Sequence, residues 1–355
     1  MPEVIIKFQS VSKRYGKNLV LNNVNFEIYR GEIFGIIGAS GAGKTTMLHV
    51  LIGYVDPEIG DVFFRPEHLI DANKMNDPFR SVFDKQKEVK RLFGYASQLP
   101  SFYPRLTVSE NLEYYGELQG LPKDTLKNNI KNLLTFVDLT ESKNVLAENL
   151  SGGMQRRLDI ACAMVHDPKV LILDEPTADL DPILRHQLWN LIERINKNGT
   201  TIILASHNLA KLENLCHRIA ILHDKEMIAV GKPDELKDGF SKSQEIQLKS
   251  YPGNYDKIVK RLKDKKEIEK VEYKGERLVI ITKEPQKVTH LLMHELHLLK
   301  EVLVDIRLDK PSLHDIFLSV SRKSKKLAKE KQEKELKKLE PKVEFSKDTK
   351  EQNKK

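Results

Sequence analysis

One short stretch constrains this chain more than any other: Gly38-Ala39-Ser40-Gly41-Ala42-Gly43-Lys44-Thr45. It fits G-x-x-x-x-G-K-[ST], follows the apolar run Ile33–Ile37 and precedes the helical pattern Thr46–Ile52. That context is what the pattern requires. The glycines let backbone N–H groups converge on phosphate oxygens, and the new helix offers its unpaired N-terminal donors to the same anion. Lys44 supplies a point charge for β- and γ-phosphates, and the Thr45 hydroxyl can ligate Mg²⁺. A chain built around this turn is an α/β layered domain with a parallel sheet.

Two further strands agree. Val170-Leu171-Ile172-Leu173 and Thr201-Ile202-Ile203-Leu204 are continuous apolar runs of the kind parallel sheets bury on both faces. The first ends in Asp174-Glu175, and adjacent acids at a buried strand end are costly unless a cation or donor awaits them. Asp174 is expected to hold the Mg²⁺ shell and Glu175 to polarise an attacking water. The second ends in Ser206-His207, placing His207 to bond the γ-phosphate. Gln98, after the short run Gly94–Ser97, has the chemistry to touch both Mg²⁺ and the water.

Leu150-Ser151-Gly152-Gly153-Met154-Gln155 lies before the helical pattern Arg156–Val165. It has no use in its own phosphate loop, which is already formed, so it reads as a second anion-binding helix end serving another nucleotide. With this stretch the sequence resembles the ATP-binding cassette (ABC) family. The phosphate loop, Gln98, the Ser151-Gly152-Gly153 signature, Asp174-Glu175, Ala178–Asp181 and His207 occur in that family's order, over about residues 4–239.

The resemblance implies a P-loop NTPase cassette: a core sheet, an antiparallel β subdomain and a helical subdomain at 98–150. It implies a head-to-tail dimer, of like or unlike ATPase subunits, with ATP between one phosphate loop and the other signature. Residue by residue, Tyr15 matches the aromatic that stacks on adenine, and Gly38 to Thr46 hold phosphates. Thr45, Gln98 and Asp174 match the Mg²⁺ site, Glu175 the catalytic base and His207 the γ-phosphate switch. Ser151, Gly152, Gly153 and Gln155 act on the partner's nucleotide, and Asp181 matches the loop that communicates across the dimer. The departure from the pattern is a long polar segment at 65–91, expected to be an irregular exposed insertion with a short helix. Phe102 to Leu112 and Lys310 to Leu318 resemble the subgroup that pairs with separate six-helix export permeases; Phe102 and Tyr103 are candidate permease contacts. An alternative is a soluble ABC ATPase acting on ribosomes, nucleic acid or assembly without a permease. Translation-factor relatives carry two cassettes and repair relatives long coiled coils; neither pattern occurs here.

After residue 243 the periodicities change to a βαββαβ order, a ferredoxin-like accessory domain at 244–320 with one added helix (Pro311–Val320). A net charge of +8 by itself would suit a nucleic-acid binder, but position decides otherwise. Ser321–Lys355 holds 14 of the 59 basic and 7 of the 51 acidic residues, leaving the first 320 balanced at 45 against 44. No nucleic-acid partner is expected, and the tail reads as solvated and disordered. No apolar stretch approaches the roughly 20 residues of a membrane span, so the expected place is the cytoplasmic membrane face, held there by a permease. The helix-face trio His290, His294 and His297 lacks supporting ligands and is not read as a metal site. Cys162 and Cys216 form no disulfide framework.

Overall fold

The computed structural model describes residues 3–66, 79–84, 89, 91–207, 209–240, 243–262, 265–309 and 312–313. The expected helix at Pro311–Val320, the tail and most of the 65–91 insertion lie outside the described residues, save Ser312, Leu313 and parts of the insertion.

The strands β3 (Ile33–Ile37), β7 (Val170–Asp174) and β8 (Thr201–Ser206) lie side by side and parallel, in the order β3-β8-β7. β6 (Phe93–Ala96) extends the sheet beyond β7, while β9 (Arg218–His223) and β10 (Glu226–Gly231) extend it beyond β3. Alternate residues along each central strand enter different cores, which is why the runs are apolar throughout. Ile33, Leu171, Leu173, Ile202 and Leu204 face one core, and Phe34, Ile36, Ile172 and Ile203 the other.

The second core is closed by an antiparallel sheet, β2 (Asn18–Tyr29), β1 (Val4–Tyr15), β4 (Ile59–Phe64) and β5 (Arg80–Ser81), together with α1 (Lys44–Leu51). β5 corrects one expectation. Part of the 65–91 insertion is regular, with Ser81 paired to Phe63 and Val82 fully buried. Phe79-Arg80-Ser81-Val82-Phe83 is an apolar island in that polar segment, and its Arg80–Ser81 pair docks as an edge strand.

The first core is covered by helices α2 (Val108–Leu118), α3 (Lys123–Phe136), α4 (Gly152–Met164) and α5 (Pro182–Lys197). A Thr107–Glu110 capping box starts α2. Asp181 caps α5, followed by Pro182, and Leu188, Trp189, Leu191, Ile192 and Ile195 form its buried stripe. The helices α6 (Leu209–Leu215) and α7 (Pro233–Phe240) follow β8 and β10.

β6 passes so close to α4 that a Cβ at Gly94 would sit 2.2 Å from the Ala163 carbonyl oxygen. Gly94→Ala is therefore expected to destabilise the fold by about 1–3 kcal/mol. The check is a urea midpoint that falls with an unchanged m-value; an unmoved midpoint would refute this contact.

Beyond residue 243, β11 (Gln244–Tyr251), α8 (Tyr255–Leu262), β12 (Ile268–Lys274), β13 (Arg277–Thr282), α9 (Pro285–Leu298) and β14 (Val302–Asp309) follow in turn. The sheet order is β12-β13-β11-β14, antiparallel throughout. Ile246, Leu248, Leu278 and Ile280 pack under Ile258, Leu262, Val288 and Leu292 of its two helices.

Candidate functional site

The site forms where three parallel strands end. After β3 the chain turns through Gly38–Gly43 into α1. Gly43 has φ 105°, and a Cβ there would meet the Val20 carbonyl oxygen at 2.9 Å. Only glycine suits that combination. Gly38 is pressed as closely against the Leu222 carbonyl oxygen, at 2.7 Å from its would-be Cβ. Lys44 opens the helix with its side chain folded back over the loop: Nζ donates to the Gly38 and Ala39 carbonyls at 3.0 and 3.3 Å. It also lies 3.5 Å from Glu175 Oε1.

The two acids at the end of β7 diverge, as alternating strand residues do. Asp174 Oδ2 accepts from the Thr45 hydroxyl at 2.7 Å. Its other oxygen, Oδ1, is buried with no partner among the described residues. Burial raises the Asp174 pKa, the adjacent Glu175 adds to this, and the Thr45 bond opposes both. A buried carboxylate oxygen without a donor beside a serviceable hydroxyl is what a hard divalent cation would use, so the residues present fit Mg²⁺.

Glu175 leaves the strand in the left-handed region, φ 47°, which is strained for this residue type. Its Oε2 is 2.9 Å from His207 Nδ1 and accepts from Ser206 Oγ at 3.2 Å and the His207 N–H at 3.4 Å. The His207 side chain is otherwise 70% exposed.

Together these residues line a cleft of about 530 Å³ bounded by Val20, Ser40, Gly41, Gly43, Lys44, Thr45, Thr46, Gln98, Asp174, Glu175 and His207. Gly38, Ala39 and Ala42 shape the loop without lining the cleft. Tyr15, at the end of β1, is half-exposed beneath the Lys13 ammonium, 5.4 Å from its ring, and does not line the cleft either.

The signature residues lie elsewhere. The Ser151 hydroxyl accepts from the Met154 N–H at 3.4 Å and caps α4. Gly152 is exposed, and a Cβ there would meet nothing within 4 Å. Gly153 instead packs on Leu184, 2.8 Å from its would-be Cβ, and the Gln155 amide donates to the Ala147 carbonyl at 3.2 Å. None of the four lines the cleft. The Asp181 carboxylate is engaged in capping α5, accepting from the Ile183 and Leu184 N–H groups at 2.9 and 3.0 Å.

The family model described as ABC transporter matches residues 21–178. A Nod factor export ATP-binding protein I from Rhizobium sp. (strain N33) is 32% identical, over 90% of this chain and 98% of that protein. The chain belongs to the ABC transporter ATP-binding family. The Bradyrhizobium diazoefficiens protein of the same name is 30% identical, over 90% of this chain and 97% of its own length. Among solved structures, an ATP-binding subunit of an ABC transporter aligns at TM-score 0.57 and 28% identity, over 66% of this chain and 93% of that one. The cbiO1 subunit from Clostridium perfringens, part of the complex cbiONQ, aligns at TM-score 0.57 and 28% identity, over 66% of this chain and 90% of that one. The cassette is an ATP-binding subunit and an ATPase.

One residue lining the cleft, Val20, and one bonded to Glu175, Ser206, are not legible in the sequence of this ABC ATPase. Val20 sits in a long strand remote in sequence from the loop it covers, and Ser206 reads as no more than the last residue of its apolar strand. Arg156 and Asp159, behind the cleft, are not legible either. One candidate is corrected: Phe102 is 8% exposed and part of the first core, so it packs rather than offering a contact. Tyr103 is 46% exposed, its ring 4.7 Å from Tyr114.

Proposed function

We propose that this ATPase powers export through a separate membrane permease, by closing head to tail with a second ATPase subunit around two ATP molecules. The observation that carries this reading is the separation of the two anion-binding helix ends. The cleft holds Lys44 and Glu175, while the Gly152 end of α4 does not line it and opens onto free space.

In a closed site the loop N–H groups and Lys44 bind the β- and γ-phosphates, and Tyr15 stacks on adenine. Thr45, Asp174 and Gln98 hold Mg²⁺, which supplies charge neutralisation at the phosphates when bound. Glu175 accepts a proton from the attacking water; His207 donates to the γ-phosphate. The Lys44 ammonium, now 3.5 Å from Glu175, moves to the nucleotide and frees the carboxylate for that task. Ser151, Gly152 and the N-terminus of α4 complete the partner's site, Gln155 braces that helix end, and Asp181 couples the two sites.

The export direction is supported by the relatives named for Nod factor export. A cleft of about 460 Å³ between β6 and α2, lined by Tyr54, Tyr95, Ser101, Tyr115 and Gln119 among others, suits a permease's cytoplasmic helix. Among the described residues no helix is long and apolar enough to cross a membrane. Pairing with a permease would hold the chain at the cytoplasmic membrane face.

Detergent extracts of native membranes are expected to yield the tagged full chain together with an integral membrane protein of about six spans. Recovery of the chain wholly apart from membranes would overturn the permease assignment. Lys44→Ala is expected to lower ATP affinity by about 10- to 100-fold by removing a charge-assisted contact to phosphate. Equilibrium titration with a fluorescent ATP analogue checks it, and unchanged affinity would remove Lys44 from the nucleotide site.

A further inference from the structure

We propose that Arg156, with Asp159 behind it, is a positioning residue that holds the Gln98 loop against the Asp174–Glu175 turn. The residue does not line the cleft and is only 7% exposed. It lies one turn into α4 from the Ser151 cap.

Its hydrogen bonds go almost entirely to two functional loops. Nε donates to the Pro176 carbonyl at 2.9 Å, and one terminal nitrogen to the Asp174 and Glu175 carbonyls at 3.1 and 3.2 Å. The other terminal nitrogen donates to the Ser97 carbonyl at 2.8 Å, the Gln98 carbonyl at 3.5 Å and Asp159 Oδ2 at 3.0 Å. A planar fork with five N–H donors suits this task, and a single ammonium does not.

Asp159, fully buried, completes the link. Its Oδ1 accepts from the Ser101 N–H at 2.9 Å and the Ser101 hydroxyl at 2.8 Å, tying the far side of the Gln98 loop to the same helix. Burial raises the Asp159 pKa and lowers that of Arg156, and the opposite charge beside each works against that shift.

A buried ion pair is a weak source of stability, because two apolar side chains of similar volume would serve the core as well. What apolar side chains cannot do is bond the carbonyls of residues 97, 98, 174, 175 and 176. Those carbonyls flank the two residues that must face each other across the metal and the water. The strained Glu175 backbone, φ 47°, is the conformation the Arg156 fork holds from behind. Because the fork rides on α4, whose N-terminal end serves the partner's ATP in the closed dimer, movement of that end is transmitted to both loops.

The inference rests on the roles proposed for Glu175 and Gln98. The test compares wild type, Arg156→Lys, Arg156→Met, the double variant Arg156→Met with Asp159→Leu, and Glu175→Gln, all in the full chain. Arg156→Met leaves Asp159 buried and unpaired, so its melting temperature falls. The double variant removes both charges, and its melting temperature recovers toward wild type. Its kcat nevertheless stays at least about 30-fold low with the KM for ATP within about threefold, the signature of lost alignment rather than lost binding. Arg156→Lys keeps a charge for Asp159 yet does not rescue kcat. A folded double variant with kcat within about threefold of wild type overturns the clamp. If the double variant does not fold, wild-type kcat in Arg156→Lys overturns it instead. Undiminished turnover in Glu175→Gln refutes the site assignment itself, whereas an inert Glu175→Gln beside a fully active double variant refutes the clamp alone.

Discussion

Glu175→Gln is expected to lower ATP turnover by about 10³-fold, within the range general-base removal produces, while leaving ATP binding intact. Glutamine preserves the shape of the side chain and keeps an oxygen to accept from Ser206 Oγ and His207, which hold it at 3.2 and 2.9 Å. What it loses is the negative charge and the capacity to take a proton from water. The same charge lies 3.5 Å from Lys44 before nucleotide arrives and competes with the γ-phosphate for that ammonium. Its removal therefore favours the nucleotide-bound state as it blocks the exit from it. Light scattering in Mg·ATP is expected to report a persistent species of twice the monomer mass for the variant, and a transient one for wild type. Wild-type turnover in the variant would refute the role of Glu175.

The residues that proved legible share one property: their neighbours in sequence are their neighbours in space. The phosphate loop is a local turn between a strand and a helix, and Asp174, Glu175 and His207 each end a strand whose apolar run announces it. The helices are equally readable: the helical periodicity in the sequence runs Val108–Gln119 and the helix spans Val108–Leu118. β1 and β2 were harder to delimit. Register shifts after Phe8 and Val11, with Ser10 and Asn23 at positive φ, break the alternation that would mark their buried faces. β1 accordingly shows neither period cleanly.

Arg156 was illegible for a different reason. A charged residue on a helix is read as facing water, and nothing in Met154-Gln155-Arg156-Arg157 separates the buried guanidinium from its partly exposed neighbour. Arg157 reaches outward to Asp138 and Gln187, while Arg156 turns inward to carbonyls about 20 and about 60 residues away. Only an acid three residues on, in an otherwise apolar Leu158–Ala163 stretch, hinted at the pair. Phe102 and Tyr103 make the same point on the aromatic side: adjacent rings of similar character, one in the core and one at the surface.

Gly152→Asp is expected to silence ATP turnover without disturbing the fold, and to do so in the partner's site rather than its own. A Cβ at Gly152 would meet nothing within 4 Å, so the folded chain has room for the side chain. An acid in the first turn of α4 complements the helix dipole and leaves the melting temperature unchanged or slightly raised. In a closed dimer the same carboxylate would confront the γ-phosphate bound to the other subunit, where like charges repel in a water-poor site. Lys44→Ala disables the opposite half. Each variant alone is expected to be inert, because every dimer then lacks one half of both sites. When the two are mixed and pair at random, half the dimers are mixed, and each has one intact phosphate loop facing one intact signature. Turnover is then expected to return to about a quarter of the wild-type value. A mixture no more active than its components would mean that the two helix ends do not act on a shared nucleotide.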